Sequence, residues 1–218
     1  MANALGCTSV SNIEVETKYV LDADDFARLK RAGRICRTDN QLNIYYDSGW
    51  KLADVSATLR IRITGHVSAI MTAKVPVSHN GGRRVMREID VDLLRDLPTA
   101  FRSVHPTSIQ VHHLPLEMQL YFSGIGVNRL PRVGWVRNTR IILDVGAGGI
   151  IELDRLELPD CTVVHQAEID TSSESEQTRL SQIVSRFTLH AEPSTESKFQ
   201  LFRRAVQPRR TPPVTRVH

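Results

Sequence analysis

The sequence predicts an α+β fold: about eight antiparallel strands in a sheet that is charged on one face and apolar on the other, with helices between and after them. Three observations predict it. Glu14-Val15-Glu16-Thr17-Lys18 sets charged side chains at alternate positions ahead of Tyr19-Val20-Leu21, and alternate side chains of a strand share a face. The same alternation returns at Arg60 and Arg62, Thr72 and Lys74, Glu88, Asp90 and Asp92, Glu152 and Asp154, and Glu168 and Asp170. The intervening residues, such as Leu59, Ile61, Ile89, Val91, Ile151, Leu153 and Ile169, are apolar, so helices can cover one face while the charges meet on the other. A single such pentad is more often a solvated sheet face; its recurrence is what argues for a site.

The elements follow in order. Residues 14–21 open the sheet. Asp22 suits a helix N-cap, Phe26 and Leu29 share a face and Gly33 suits a stop, which predicts a helix over 23–32. Residues 41–47 and 57–64 read as strands joined through Ser48-Gly49-Trp50. Residues 69–77 and 84–92 flank Ser78-His79-Asn80-Gly81-Gly82 and form a hairpin. Helices are expected over 92–101 and over 109–122, the second interrupted by Pro115. Strands return at 135–145, 150–156 and 163–171. Ser173-Glu174-Ser175-Glu176 has capping-box form ahead of the stripe Leu180, Ile183, Val184 and Phe187, and a closing helix is expected over 197–206.

At 218 residues the chain forms one domain with a substantial core. Residues 12–206 carry the pattern, 1–11 lead into it, and 207–218 form a proline- and arginine-rich tail expected to be disordered. The formal charge of +4 does not argue for nucleic acid as a partner. Cys7, Cys36 and Cys161 are odd in number and widely spaced, which disfavours a disulfide framework or a cysteine zinc site. The start lacks a basic leader and no run reaches the length of a membrane span, so a cytoplasmic protein with no membrane partner is expected.

On the charged face stand Lys18, Arg60, Arg62, Lys74, Arg137, Arg140 and, later, Lys198, against Glu14, Glu16, Glu88, Asp90, Asp154, Glu168 and Asp170. Arg137 and Arg140 differ in parity, so both face the same way only across a bulge. Closing the sheet turns this face into a lumen in which opposite charges offset the desolvation each ion suffers. Such a balance leaves room for a polyphosphate together with divalent cations.

Glu14-x-Glu16-x-Lys18, Tyr45-Tyr46-Asp47, Leu59-Arg60-Ile61-Arg62, Thr72-Ala73-Lys74, Glu88-x-Asp90, Glu168-x-Asp170 and Ser197-Lys198-Phe199, in this order, resemble the CYTH superfamily of triphosphate tunnel metalloenzymes over about residues 12–204. The resemblance implies an eight-stranded antiparallel β-barrel tunnel with a charged lumen, flanked by helices. It implies a triphosphatase for inorganic tripolyphosphate or a small organic triphosphate such as thiamine triphosphate, dependent on Mg²⁺ or Mn²⁺. Lys18 and Glu16 match catalytic positions. Glu14, Glu16, Glu88, Asp90, Asp154, Glu168 and Asp170 are the implied metal ligands. Lys18, Arg60, Arg62, Lys74, Arg137, Arg140 and Lys198 are the implied phosphate contacts.

Two departures stand out: Asp90 and Asp170 occupy positions where the family commonly has the longer Glu, and the segment 93–130 is long. Other signals carry less. His112-His113 lacks a second ligand pair, Gly146-Ala147-Gly148-Gly149 follows no βαβ pattern, and Trp50 and Trp135 read as packing residues. The rival functions are a class IV-type adenylyl cyclase, in which the 3′-hydroxyl of ATP replaces water, and a polyphosphate-binding module without turnover.

Overall fold

The computed structural model describes residues 9–14, 16–65, 68–80, 83–94, 105–171 and 173–207, except for the side chains at 9, 11–14, 78–80 and 83–85. The first half holds β1 (Ser9–Glu14), β2 (Glu16–Leu21), α1 (Ala23–Arg31), β3 (Arg34–Tyr46), α2 (Lys51–Asp54), β4 (Thr58–Thr64), β5 (Ser68–Asn80) and β6 (Arg83–Asp92). The second holds β7 (Ser108–Gln110), a 3₁₀ turn at Val111–His113, α3 (Leu116–Gly124), β8 (Arg129–Asp144), β9 (Ile150–Glu157), β10 (Val163–Asp170), α4 (Glu174–Phe187), β11 (Glu192–Ser194) and α5 (Lys198–Val206).

Strand order is β1-β6-β5-β4-β3-β8-β9-β10-β2, with β11 on the other side of β2. The two ends of this order, β1 and β2, are consecutive in the chain with Val15 alone between them. One stretch thus pairs antiparallel with β6 through its first half and with β10 through its second. Counted this way, the described residues form an eight-stranded antiparallel barrel, to which β7 and β11 are short additions.

Two apolar clusters lie on the outer face and are covered. Ile44, Leu59, Ile61, Met71, Ile89 and Val91 pack beneath Ile109, Met118, Phe122 and Leu130. Tyr19, Leu21, Leu143, Leu153 and Ile169 pack against Leu29 of α1 and Leu180 and Val184 of α4. A third cluster, Tyr45, Val136, Leu156, Phe199 and Phe202, lies on the inner face beside the cavity and seats α5 there. Ser197 holds α5 at its start through a full capping box with Gln200. In α4, Ser173 accepts from the Glu176 amide, while the Glu176 carboxylate takes the Thr171 hydroxyl at 2.9 Å instead of closing a box.

The structure differs from the sequence pattern at residues 109–122. The helix expected over 109–122 is β7, a 3₁₀ turn and a shorter α3: Pro115 disfavours helical geometry at Leu114, which is extended at ψ 165°. Most of the helix expected over 92–101, the lead-in up to residue 8 and the tail from 208 lie outside the described residues. α1 ends where expected, with Ala32 as its cap and Gly33 directly after it; a Cβ at Gly33 would sit 2.6 Å from the Asp144 carbonyl oxygen, so glycine there permits close passage beside β8. Among the described residues, no helix is long and apolar enough to cross a membrane.

Gly134 bears on the site. It lies at φ 152°, beside the register shift between β3 and β8, and a Cβ there would meet the Phe202 ring at 2.6 Å. Gly134→Ala is therefore expected to cost about 1–3 kcal/mol and to loosen α5, read as a lowered urea midpoint.

Candidate functional site

Cross-strand register assembles the site. Glu16 lies opposite Asp170 and Lys18 opposite Glu168; Glu168 lies opposite Glu152, Asp154 opposite Arg140, Arg60 opposite Tyr45 and Lys74 opposite both Thr58 and Glu88. Facing inward, they enclose a cavity of about 200 Å³. Its basic lining is Lys18, Arg60, Arg62, Lys74, Arg140 and Lys198; its described acidic lining is Glu16, Glu88, Glu152, Glu168 and Asp170.

Of the residues singled out in the sequence, Arg137, Asp154 and Asp90 do not line this cavity. Arg137 is exposed on the outside, its guanidinium 4.9 Å from the Trp135 ring centroid. Register between β8 and β9 runs unbroken from Arg137 to Arg140, so no bulge reconciles their parity and only Arg140 points inward. Asp154 is fully buried behind the lining, and Asp90 accepts the Thr72 hydroxyl at 2.6 Å away from the cavity. The Glu14 side chain lies outside those described. Tyr45, Thr58, Glu152, Ser197 and Phe199 join the lining without having been assigned to it. The shared face of Glu152 and Asp154 was a signal for the first of the acids.

Ion pairs organise the wall. Arg140 grips Asp154 through two bonds of 2.9 and 2.7 Å, reaches Glu168 at 2.6 Å and pairs with Glu152. Lys198 lies 2.8 Å from Asp154 and also pairs with Glu168. Lys18 is 2.7 Å from Glu16 and 3.7 Å from Glu168. Glu88 takes Arg60 at 3.4 Å and Lys74 at 3.5 Å. Arg62 is different: its Nε donates to Asn43 at 3.0 Å, and among the described residues it forms no carboxylate ion pair. The Arg60 Nε and Tyr45 hydroxyl are also buried without a partner among those residues. Buried polar atoms left unpaired cost about 1–3 kcal/mol each, so these point to a ligand that supplies acceptors.

Charge states follow from this packing. Burial pushes the Glu16 carboxyl up to about 7, helped by Glu168 and only partly opposed by Lys18. Burial likewise raises Glu152 despite Arg140. Burial would raise Glu168 as well, but Lys198, Lys18 and Arg140 hold it well below the usual carboxylate range. Arg62 is lowered to about 10 by burial and by Arg60 and Arg140, and so stays charged at neutral pH. Because the folded Glu16 value lies above its ordinary 4.5, its stabilising contribution is complete below pH 4.5 and lost as pH rises through about 7. Glu16→Gln should flatten that part of the profile, read from urea midpoints between about pH 4 and 8.

No group of three or more His, Cys, Asp or Glu side chains among the described residues is arranged to hold a metal ion by itself. The lining nevertheless offers hard carboxylate oxygens, with Glu16 and Glu152 destabilised as anions by burial. That suits an ion such as Mg²⁺, which is usually held by one or two carboxylates and completed by phosphate oxygens and water.

A sequence profile of the CYTH domain matches residues 12–202. Three solved structures share the fold. One, from Hippeastrum, is described as an adenylyl cyclase candidate with a dominant triphosphatase activity; it is 22% identical over 88% of this chain and 95% of its own, with a TM-score of 0.71. Another, a Bacillus halodurans protein described as an adenylate cyclase candidate, is 21% identical over 88% and 98%, TM-score 0.66. A Pyrococcus horikoshii protein is 20% identical over 88% and 98%, TM-score 0.58. No curated protein matches the chain in sequence.

Proposed function

The chain belongs to the CYTH domain family, and on that premise we propose that it is a metal-dependent triphosphatase, acting on inorganic tripolyphosphate or a small organic triphosphate. The observation that carries this reading is Arg62, a half-buried cation with no carboxylate partner among the described residues. It faces the same cavity as the unpartnered Arg60 Nε and Tyr45 hydroxyl. Guanidinium forks make charge-assisted, often bidentate bonds to phosphate, and a triphosphate supplies the missing acceptors.

Arg60, Arg62, Lys74, Arg140 and Lys198 neutralise and orient the chain, which is most of what phosphoryl transfer asks of a protein. One or two of Glu152, Glu168 and Asp170 would hold the cation, Mg²⁺ or Mn²⁺, which when bound adds charge neutralisation at the phosphate oxygens. Glu16, with its carboxyl near 7, is matched to accept the proton of the attacking water at neutral pH. Water oxygen bonds to the terminal phosphorus, the bridging P–O bond breaks with its electron pair on the leaving oxygen, and the proton passes to Glu16. Lys18, 2.7 Å from Glu16, orients that carboxylate and meets the phosphate.

A cyclase must also hold a purine. The lining aromatics Tyr45 and Phe199 pack on each other at 5.0 Å, which favours the hydrolase. Incubation with tripolyphosphate, thiamine triphosphate and ATP, each with Mg²⁺ or Mn²⁺, is expected to release phosphate, and chelation to stop it. Cyclic AMP with pyrophosphate would establish the cyclase instead; tight binding without turnover would establish a binding module.

A further inference from the structure

A second concentration of positive charge lies outside the barrel, where α1 and α4 meet. Arg28 and Arg31 of α1 and Arg186 of α4, with Phe187 and Leu189, line a cleft of about 380 Å³. None of them lines the tunnel cavity. The cleft has no acidic lining residue. Among the described residues, the one carboxylate ion-paired with these arginines is Asp25, 3.5 Å from Arg28, and it already accepts the Leu189 amide at 2.9 Å and the His190 amide at 2.6 Å. Arg31 has no polar side-chain partner among the described residues, and the contact of Arg186 is with the neighbouring Phe187 ring, 5.6 Å from its centroid.

Both helices end here, and cations near helix C-termini are favoured by about 0.3–1 kcal/mol. That effect favours Arg28 and Arg31 in the last turn of α1 and Arg186 in the last turn of α4. It does not neutralise three guanidiniums sharing a concave surface, whose mutual repulsion a multivalent anion relieves.

We propose that this cleft is a second anion site, taking a phosphate group in the forks of Arg31 and Arg186 with Arg28 behind. The group comes either from a free polyphosphate or from an anionic lipid headgroup; Leu189, 69% exposed at the cleft, is the feature that would meet a lipid. The proposal is independent of what the tunnel catalyses.

The test uses the full chain carrying Arg60→Gln/Arg62→Gln to weaken the tunnel, with and without Arg31→Gln/Arg186→Gln. Tripolyphosphate alone is titrated in one arm, and phosphatidylcholine vesicles with and without phosphatidylglycerol in the other. Loss of two charge-assisted contacts is expected to weaken binding at least about tenfold in one arm, which identifies the source. In the unmodified chain, amide shifts of Phe187 and Leu189 report on the cleft directly, so the test survives if the tunnel variant folds poorly. No shift at these amides with either probe, or binding unchanged by Arg31→Gln/Arg186→Gln, overturns the proposal.

Discussion

Lys18→Ala and Glu16→Ala should each lower phosphate release from tripolyphosphate by at least about 10²-fold, with circular dichroism melts close to those of the unaltered chain. Lys18 sits between Glu16 and Glu168. Removing it takes away a phosphate contact and one of the influences that lowers the Glu16 carboxyl, so residual activity should move to higher pH. Removing Glu16 takes away the proton acceptor. Fold is spared because Glu168 keeps Lys198 and Arg140. A Glu16→Ala/Lys18→Ala double variant with unimpaired turnover would remove the basis of the mechanism.

Arg140→Met should produce the largest loss of stability. One guanidinium serves Asp154, Glu168 and Glu152, and the first two are almost wholly withdrawn from solvent. Stripping a partner from a buried ionic cluster costs about 3–5 kcal/mol, to be read from urea denaturation. The sign with pH follows from Glu168, whose folded carboxyl lies below its ordinary value. Its stabilisation is present above the ordinary carboxylate range and lost as pH falls. The gap between Arg140→Met and the unaltered chain should therefore be widest near neutrality and close in acid. Arg140→Lys is not expected to rescue it, because an ammonium does not reproduce the paired bonds to Asp154.

Much of this geometry was legible because strand periodicity is strict. Alternation alone turned Arg60 with Arg62, and Glu168 with Asp170, to the same side, and the covering helices α1 and α4 announced themselves through caps and apolar stripes. Parity also required Arg137 and Arg140 to part unless a bulge intervened; which one faced inward depended on β9, where Asp154 lies opposite Arg140. Periodicity assigns a face but not a depth, so Asp90 and Asp154 share the sign of the lining residues without reaching the cavity. Residues 109–122 resisted because an apolar run packed against a sheet reads alike as strand or helix until its partner is known. Here the partner of β7 is β8.

The division of the opening strand between β6 and β10 decides when the enclosure forms. Lys18 and its neighbour Glu168 stand about 150 residues apart, and such distant pairings are slow to make. As a nascent chain emerges from the ribosome, most of the wall can assemble first as an open arc whose ionised groups keep their water. The seam needs the stave that carries Glu168, and closing it exchanges hydration for opposite charge.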